Sequence, residues 1–141
     1  MAHCATLGSN QDLDKGGEVE NYRLFARMMD NPAYDGKLFG DISAVAQINR
    51  LGPALQDIIQ RQEWHHRLVN GSDYPLPGVM PIFSVKRIAE MGLLDATHVA
   101  PLVALRRHNP ILFDFVLKRS MRYRGKAFMP SVFETRKIFM A

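Results

Sequence analysis

Two hydrophobic periods alternate along this chain, and the points where one gives way to the other mark its predicted elements. Residues 1–5 are short and apolar and read as a buried strand with His3 set inside it. The polar, glycine-ended stretch over 11–17 reads as a loop. Across 18–30, Val19, Tyr22, Phe25, Ala26 and Met29 recur at helical spacing, which predicts an amphipathic helix that Asn31-Pro32 stops. A turn cluster over 31–36 precedes a second strand over 37–45, with Asp41 and Ser43 as its polar interruptions and Gln47 and Asn49 beyond it as candidate pocket-rim residues. Pro53 fits the first turn of a helix, where its missing N–H costs nothing, so 50–62 predicts a helix with Leu55, Ile58 and Ile59 buried. Trp64, His65 and His66 lead into a third, short strand, Leu68-Val69. Adjacent histidines point in different directions on either regular element, so His65 and His66 read as surface or hinge residues, not a metal pair.

The third strand breaks at Asn70-Gly71 and presents Ser72 and Asp73, followed by a Tyr74-Pro75-Leu76-Pro77-Gly78 loop that can continue neither helix nor strand. Ile82, Val85, Ile88 and Ala89 then predict a helix over 79–91 that Gly92 ends. Asp95 opens another helix through Arg107, and Asn109-Pro110 is a cap followed by proline at the first helical position. The helix after it is apolar on most of its circumference and should be deeply docked. Residues 128–136 read as a capping turn and a short terminal helix.

At 47% hydrophobic and 23% charged, the composition is that of a globular protein and excludes a disordered chain. No apolar run has the length to span a bilayer, and residues 1–20 lack the charged start and apolar core of a leader, so no membrane partner is expected. A single cysteine, Cys4, cannot form an internal disulfide, which suits a cytoplasmic setting. The net charge of +4 is uneven: residues 1–60 hold five Lys/Arg against eight Asp/Glu, whereas 101–141 hold nine against two. These basic residues, Arg106, Arg107, Lys118, Arg119, Arg122, Arg124, Lys126, Arg136 and Lys137, are interleaved with apolar ones at helical spacing. That pattern predicts a solvated outer helix face, and without a recognition-helix, zinc or stacking motif it predicts no nucleic-acid partner.

A carboxylate at the end of a short buried strand, followed by a proline-stiffened loop, is the placement α/β barrels give to catalytic groups. Asp73 could equally cap the next element or anchor the turn. Asn70-Gly71-Ser72-Asp73-Tyr74-Pro75 resembles the Gly-Ser/Thr-Asp-Tyr-Pro signature of the amidohydrolase superfamily, in particular the amidohydrolase-related branch that includes aminocarboxymuconate-semialdehyde-decarboxylase-like enzymes. Three further stretches are similar to that branch: the apolar-His pattern ending at His3, Gly40-Asp41-Ile42-Ser43, and the segment from Asn109 to Arg119. The resemblance implies an α/β fold: the C-terminal portion of a (β/α)8 TIM barrel, about strands 6–8 with their helices, followed by C-terminal helices. A complete barrel takes roughly 250 residues, so 141 residues are expected to form one partial barrel domain, 1–141.

The same resemblance implies a metal-dependent hydrolase acting on amide, ester or lactone bonds of a small-molecule substrate. Asp73 would be metal ligand and proton shuttle, His3 a second metal ligand, and Asp41 and Tyr74 substrate contacts. As a bare reading of the residues, His3 packed in place and Asp41 tying strand ends together remain open. The cofactor implied is a divalent metal, with zinc expected. The family's other ligands, a His-x-His pair, a strand-four Glu or Lys and a strand-five His, have no counterpart in this sequence, and zinc sites need at least three protein ligands. The isolated chain is therefore expected to be inactive, and a homo-oligomer is compatible with the reading. Two alternatives stand beside hydrolysis: nonoxidative decarboxylation on the same fold, and a non-catalytic basic helical binding module.

Overall fold

A computed structural model describes residues 1–139, and it combines helices with three small two-stranded sheets. An antiparallel hairpin, β1 (Ser9–Gln11) with β2 (Glu18–Glu20), leads into helix α1 (Asn21–Asp30). Strand β3 (Gly40–Asp41) pairs in parallel with β4 (Leu68–Val69), and helix α2 (Pro53–Gln60) lies between them in the chain. Helices α3 (Val85–Glu90), α4 (Val99–His108) and α5 (Pro110–Ser120) follow, then a second hairpin, β5 (Arg122–Tyr123) with β6 (Lys126–Ala127), and α6 (Arg136–Phe139). Among the described residues no helix is long and apolar enough to cross a membrane.

Residues 1–5 do not form the expected strand. Met1 alone runs beside β3: its carbonyl accepts the Asp41 N–H at 2.9 Å and its amino group donates to Phe39 O at 2.7 Å. His3, Cys4 and Ala5 then take left-handed backbone angles, φ of 51°, 47° and 52°. Such angles cost roughly 1–2 kcal/mol per residue. In return the turn drops Cys4 fully into the core and swings His3 over Ser43.

The expected helix over 18–30 starts later, at Asn21, because Gly16 and Gly17 turn back at φ of 74° and 79° and pair Glu18–Glu20 with Ser9–Gln11. Asp12 anchors this hairpin to α1 through a two-pronged bond from Arg27, at 2.8 and 2.9 Å, which holds the Asp12 carboxyl far below the usual range. Helix α2 buries Leu55, Ile58 and Ile59 as its stripe predicts. Phe25 and Trp64 meet edge to face, centroids 6.0 Å apart, and the Trp64 N–H reaches Asp30 at 3.0 Å.

Two other expectations shorten or turn over. The helix over 79–91 is confined to Val85–Glu90, capped by Ser84 accepting from Arg87 N–H, while residues 79–84 carry the proline loop back. The helix opened by Asp95 runs as expected: Asp95 caps a first tight turn, Ala96–His98, that passes without a break into α4 and on to His108. Helix α5 starts as expected, with Asn109 Oδ1 accepting the Leu112 N–H at 2.9 Å, but it is not buried all round. Phe113 and Leu117 face the core, whereas Ile111, Leu112 and Phe115 are 53%, 43% and 40% exposed. His65 corrects the surface reading: it is buried, with Nε2 donating to Ile58 O at 2.9 Å and Nδ1 accepting from Met129 N–H at 3.1 Å. His66 is exposed, as expected.

The β3–β4 pairing depends on Gly40. A Cβ added there would lie 2.8 Å from both Leu68 Cδ2 and Phe25 Cζ and 3.0 Å from Cys4 Sγ. Gly40→Ala is expected to lower stability by about 1–3 kcal/mol through overpacking. Urea unfolding followed by Trp64 fluorescence measures it, and an unchanged midpoint would mean this packing is slack.

Candidate active site

The carboxyl ends of β3 and β4 sit side by side, and a glycine lets their turns close on each other. A Cβ on Gly71 would lie 2.9 Å from Asp41 Oδ1 and 3.3 Å from Ser43 Cβ. Asp73 follows at φ 54°, a left-handed conformation that Asp tolerates better than most side chains. Its carbonyl accepts from Leu76 N–H at 3.0 Å and opens the proline loop. Arg106 fastens the far side of that loop, donating to Pro77 O at 2.6 Å, Val79 O at 2.6 Å and Phe83 O at 3.2 Å. The Phe83 and Phe113 rings flank its guanidinium, each centroid 5.4 Å away.

His3 enters the same space from the amino-terminal turn. Its Nδ1 lies 2.8 Å from Ser43 Oγ and 3.0 Å from Ser43 O. Ser43 Oγ donates to Asp41 Oδ2, so the network assigns the hydrogen to Nδ1 and leaves Nε2 pointing at Asp73 Oδ2, 3.9 Å away. That gap is too long for a hydrogen bond. A neutral ring turns two acceptors toward each other, and a water O–H or a cation between them satisfies both; an imidazolium makes the contact an ion pair.

The structure thus brings His3 and Asp73 together and gives Asp41 a different position. Both Asp41 oxygens are taken by Ser43, Oδ1 by its N–H at 2.8 Å and Oδ2 by its hydroxyl, so Asp41 braces the β3 turn that His3 leans on. Tyr74 stands at the rim, 64% exposed. Of the two rim candidates, Asn49 lines the neighbouring groove and Gln47 is buried.

Beneath the turn lies the buried pair Lys118–Asp114, of which Lys118 is expected from the basic pattern to lie on a solvated face. Lys118 has no exposed surface, and its ammonium donates to Gly71 O at 2.7 Å, Asp114 Oδ2 at 2.7 Å and Asn70 Oδ1 at 3.3 Å. The other Asp114 oxygen is buried without a hydrogen-bond partner. Burial pushes the Asp114 carboxyl up from 3.8 to about 6, against the pull of Lys118, and the nearby charges of Asp41 and Asp73 push the same way as burial. Burial holds the Lys118 ammonium down, although all three aspartates favour its charge. Arg106 departs from the solvated face for a similar reason, being only 8% exposed. The signal available in the sequence was the i, i+4 spacing of Asp114 and Lys118 on an otherwise apolar helix.

Comparison with protein-family models, curated proteins and solved structures gives no match for this chain. As a test of the implied metal, the donor set here is His3 Nε2 and Asp73, with His3 Nδ1 held by Ser43 as the ring nitrogen of a metal-binding histidine commonly is. No group of three or more His, Cys, Asp or Glu side chains converges among the described residues. Two donors fall short of the three that a zinc site takes from protein, so these residues alone do not complete one.

Two outcomes are expected from the buried pair. Lys118→Met should cost about 3–5 kcal/mol by stranding Asp114, and Lys118→Met/Asp114→Leu should regain most of it; equal losses in the two variants would show that Asp114 is not a buried charge. Folding raises the Asp114 pKa, so its contribution to stability is complete below pH 3.8 and lost as pH rises through about 6. Asp114→Asn should remove that leg from a plot of unfolding free energy against pH.

Proposed function

We propose that this chain carries part of the active site of an amidohydrolase-type, metal-dependent hydrolase, on a portion of a (β/α)8 barrel. The observation that carries the reading is the opposition of His3 Nε2 and Asp73 Oδ2 across 3.9 Å at the ends of two parallel strands. Further support comes from the parallel β3–α2–β4 unit, the repeating unit of such barrels, and from the signature residues lying in its loop. In this reading Asp73 is the general base: its carboxylate takes the proton of an attacking water and returns it to the leaving nitrogen or oxygen. His3 fixes the position of that water, while Ser43 and Asp41 fix the tautomer of His3. His3 and Asp73 would be the residues that hold a divalent metal, zinc by the family resemblance, and such an ion would make that water more acidic.

Decarboxylation would use the same residues and is the second reaction on this site. The binding-module reading is weakened because Arg106 and Lys118 are spent on internal carbonyls and carboxylates, not offered to a polyanion.

Zinc titration of the whole chain, followed through the ring-nitrogen resonances of His3, tests the proposal. The Nε2 signal should move saturably, and Asp73→Asn should weaken the effect at least tenfold. Zinc that leaves His3 unmoved would remove the pair from any metal site. Where turnover is measured with the ligand set complete, Asp73→Asn should lower kcat by roughly 10²–10⁴-fold with the fold retained.

A further inference from the structure

A groove of about 1070 Å³, which Ala5 and Thr6 of the amino-terminal turn help to line, carries Lys15 and the arginines Arg23, Arg27, Arg50 and Arg61. Three of these arginines are already matched. Arg23 meets Glu20 at 3.2 Å, Arg27 meets Asp12 at 2.8 Å and Asp14 at 3.0 Å, and Arg61 meets Asp30 and Asp57, each at 3.0 Å. Arg50 is different. Among the described residues it has no carboxylate within ion-pair distance; its Nη1 touches Thr6 Oγ1 at 3.3 Å, and its Nε is buried with no acceptor.

Arg50 stands on the loop that leaves the carboxyl end of β3, the same edge that carries His3's partner Ser43. A half-buried guanidinium without an anion is an unfavourable arrangement for the free protein, and it becomes favourable when an anion arrives. Burial pushes its charged form down, and Asp73 is the group that pulls it back. Leu7, Leu51 and Pro53 add an apolar wall to the groove.

We propose that Arg50 is a specificity residue which receives the carboxylate of a small, apolar-bodied monocarboxylic acid and holds the rest of that molecule toward Asp73. A planar carboxylate matches the guanidinium fork. The Arg50 fork has no carboxylate partner of its own among the described residues, whereas Asp12, Asp30 and Asp57 line the same groove and would repel a second negative charge. This inference rests on the reading of Asp73 and His3 as the reacting pair and supplies the substrate class for it: an amide, ester or lactone of a molecule bearing one further carboxylate.

The experiment follows the arginine Nε–H signals of the whole chain by NMR while benzoate is added, with benzamide as the neutral control. The expected result is a saturable shift of the Arg50 signal with benzoate, none with benzamide, and an unmoved Arg106 signal reporting the intact fold. Arg50→Met should abolish benzoate binding, Arg50→Lys should retain it at lower affinity, and Asp73→Asn should tighten it about threefold by removing a repelling charge. No saturable shift at Arg50, an equal shift with benzamide, or binding that survives Arg50→Met would each overturn the proposal. The outcome does not depend on zinc: benzoate binding with no response of His3 to metal would sink the hydrolase reading and leave the carboxylate site standing, and the reverse result would do the opposite.

Discussion

A lysine ammonium without solvent contact must be met by oxygen on every side, and in this chain that requirement joins the two halves of the fold. Lys118 sits on α5, yet its acceptors include Asn70 Oδ1 and Gly71 O in the turn after β4. Those bonds tie a late helix to the end of a strand nearly fifty residues earlier. The turn they hold is the one that carries Asp73, and the glycine within it is pressed against Asp41. Loosening α5 therefore disturbs the β4 turn, then the β3 turn, and finally His3, whose ring leans on Ser43.

The same edge concentrates charge of both signs. Asp41 and Asp73 add to the cost of ionising Asp114, and Lys118 lowers it. Asp41 is held by Ser43 and Asp114 by Lys118, whereas the Asp73 side chain is one-third exposed and Arg50 faces the groove without a carboxylate partner among the described residues. A site in which some charges are locked and others unspent is suited to positioning a polar reactant.

How much of this was legible beforehand follows the physics of each signal. Turn chemistry read well. Asn109-Pro110 capped α5, Pro53 opened α2, and Asn70-Gly71 broke β4 where expected, because these residues act through their own backbone. Periodicity located α1 and α2 and failed at residues 1–5, where four apolar letters around His3 fit a strand and a left-handed turn equally well. The Arg124-Gly125 turn of the second hairpin, with both φ positive, passed unnoticed because its strands are only two residues long. Lys118, Arg106 and Arg50 were misread or passed over for a common reason. Basic residues are mostly solvated, and sequence alone does not reveal the few that a fold surrounds with carbonyl oxygen or leaves facing a groove.

Cys4 lies fully buried under Gly40, its thiol donating to Asp41 O and its pKa driven well above the ordinary thiol value by burial. It cannot meet an alkylating reagent while the amino-terminal turn is closed, and that turn also carries His3. The sulfur is therefore a chemical clock for the site: the rate at which it becomes alkylated counts how often the turn that holds His3 in place comes open.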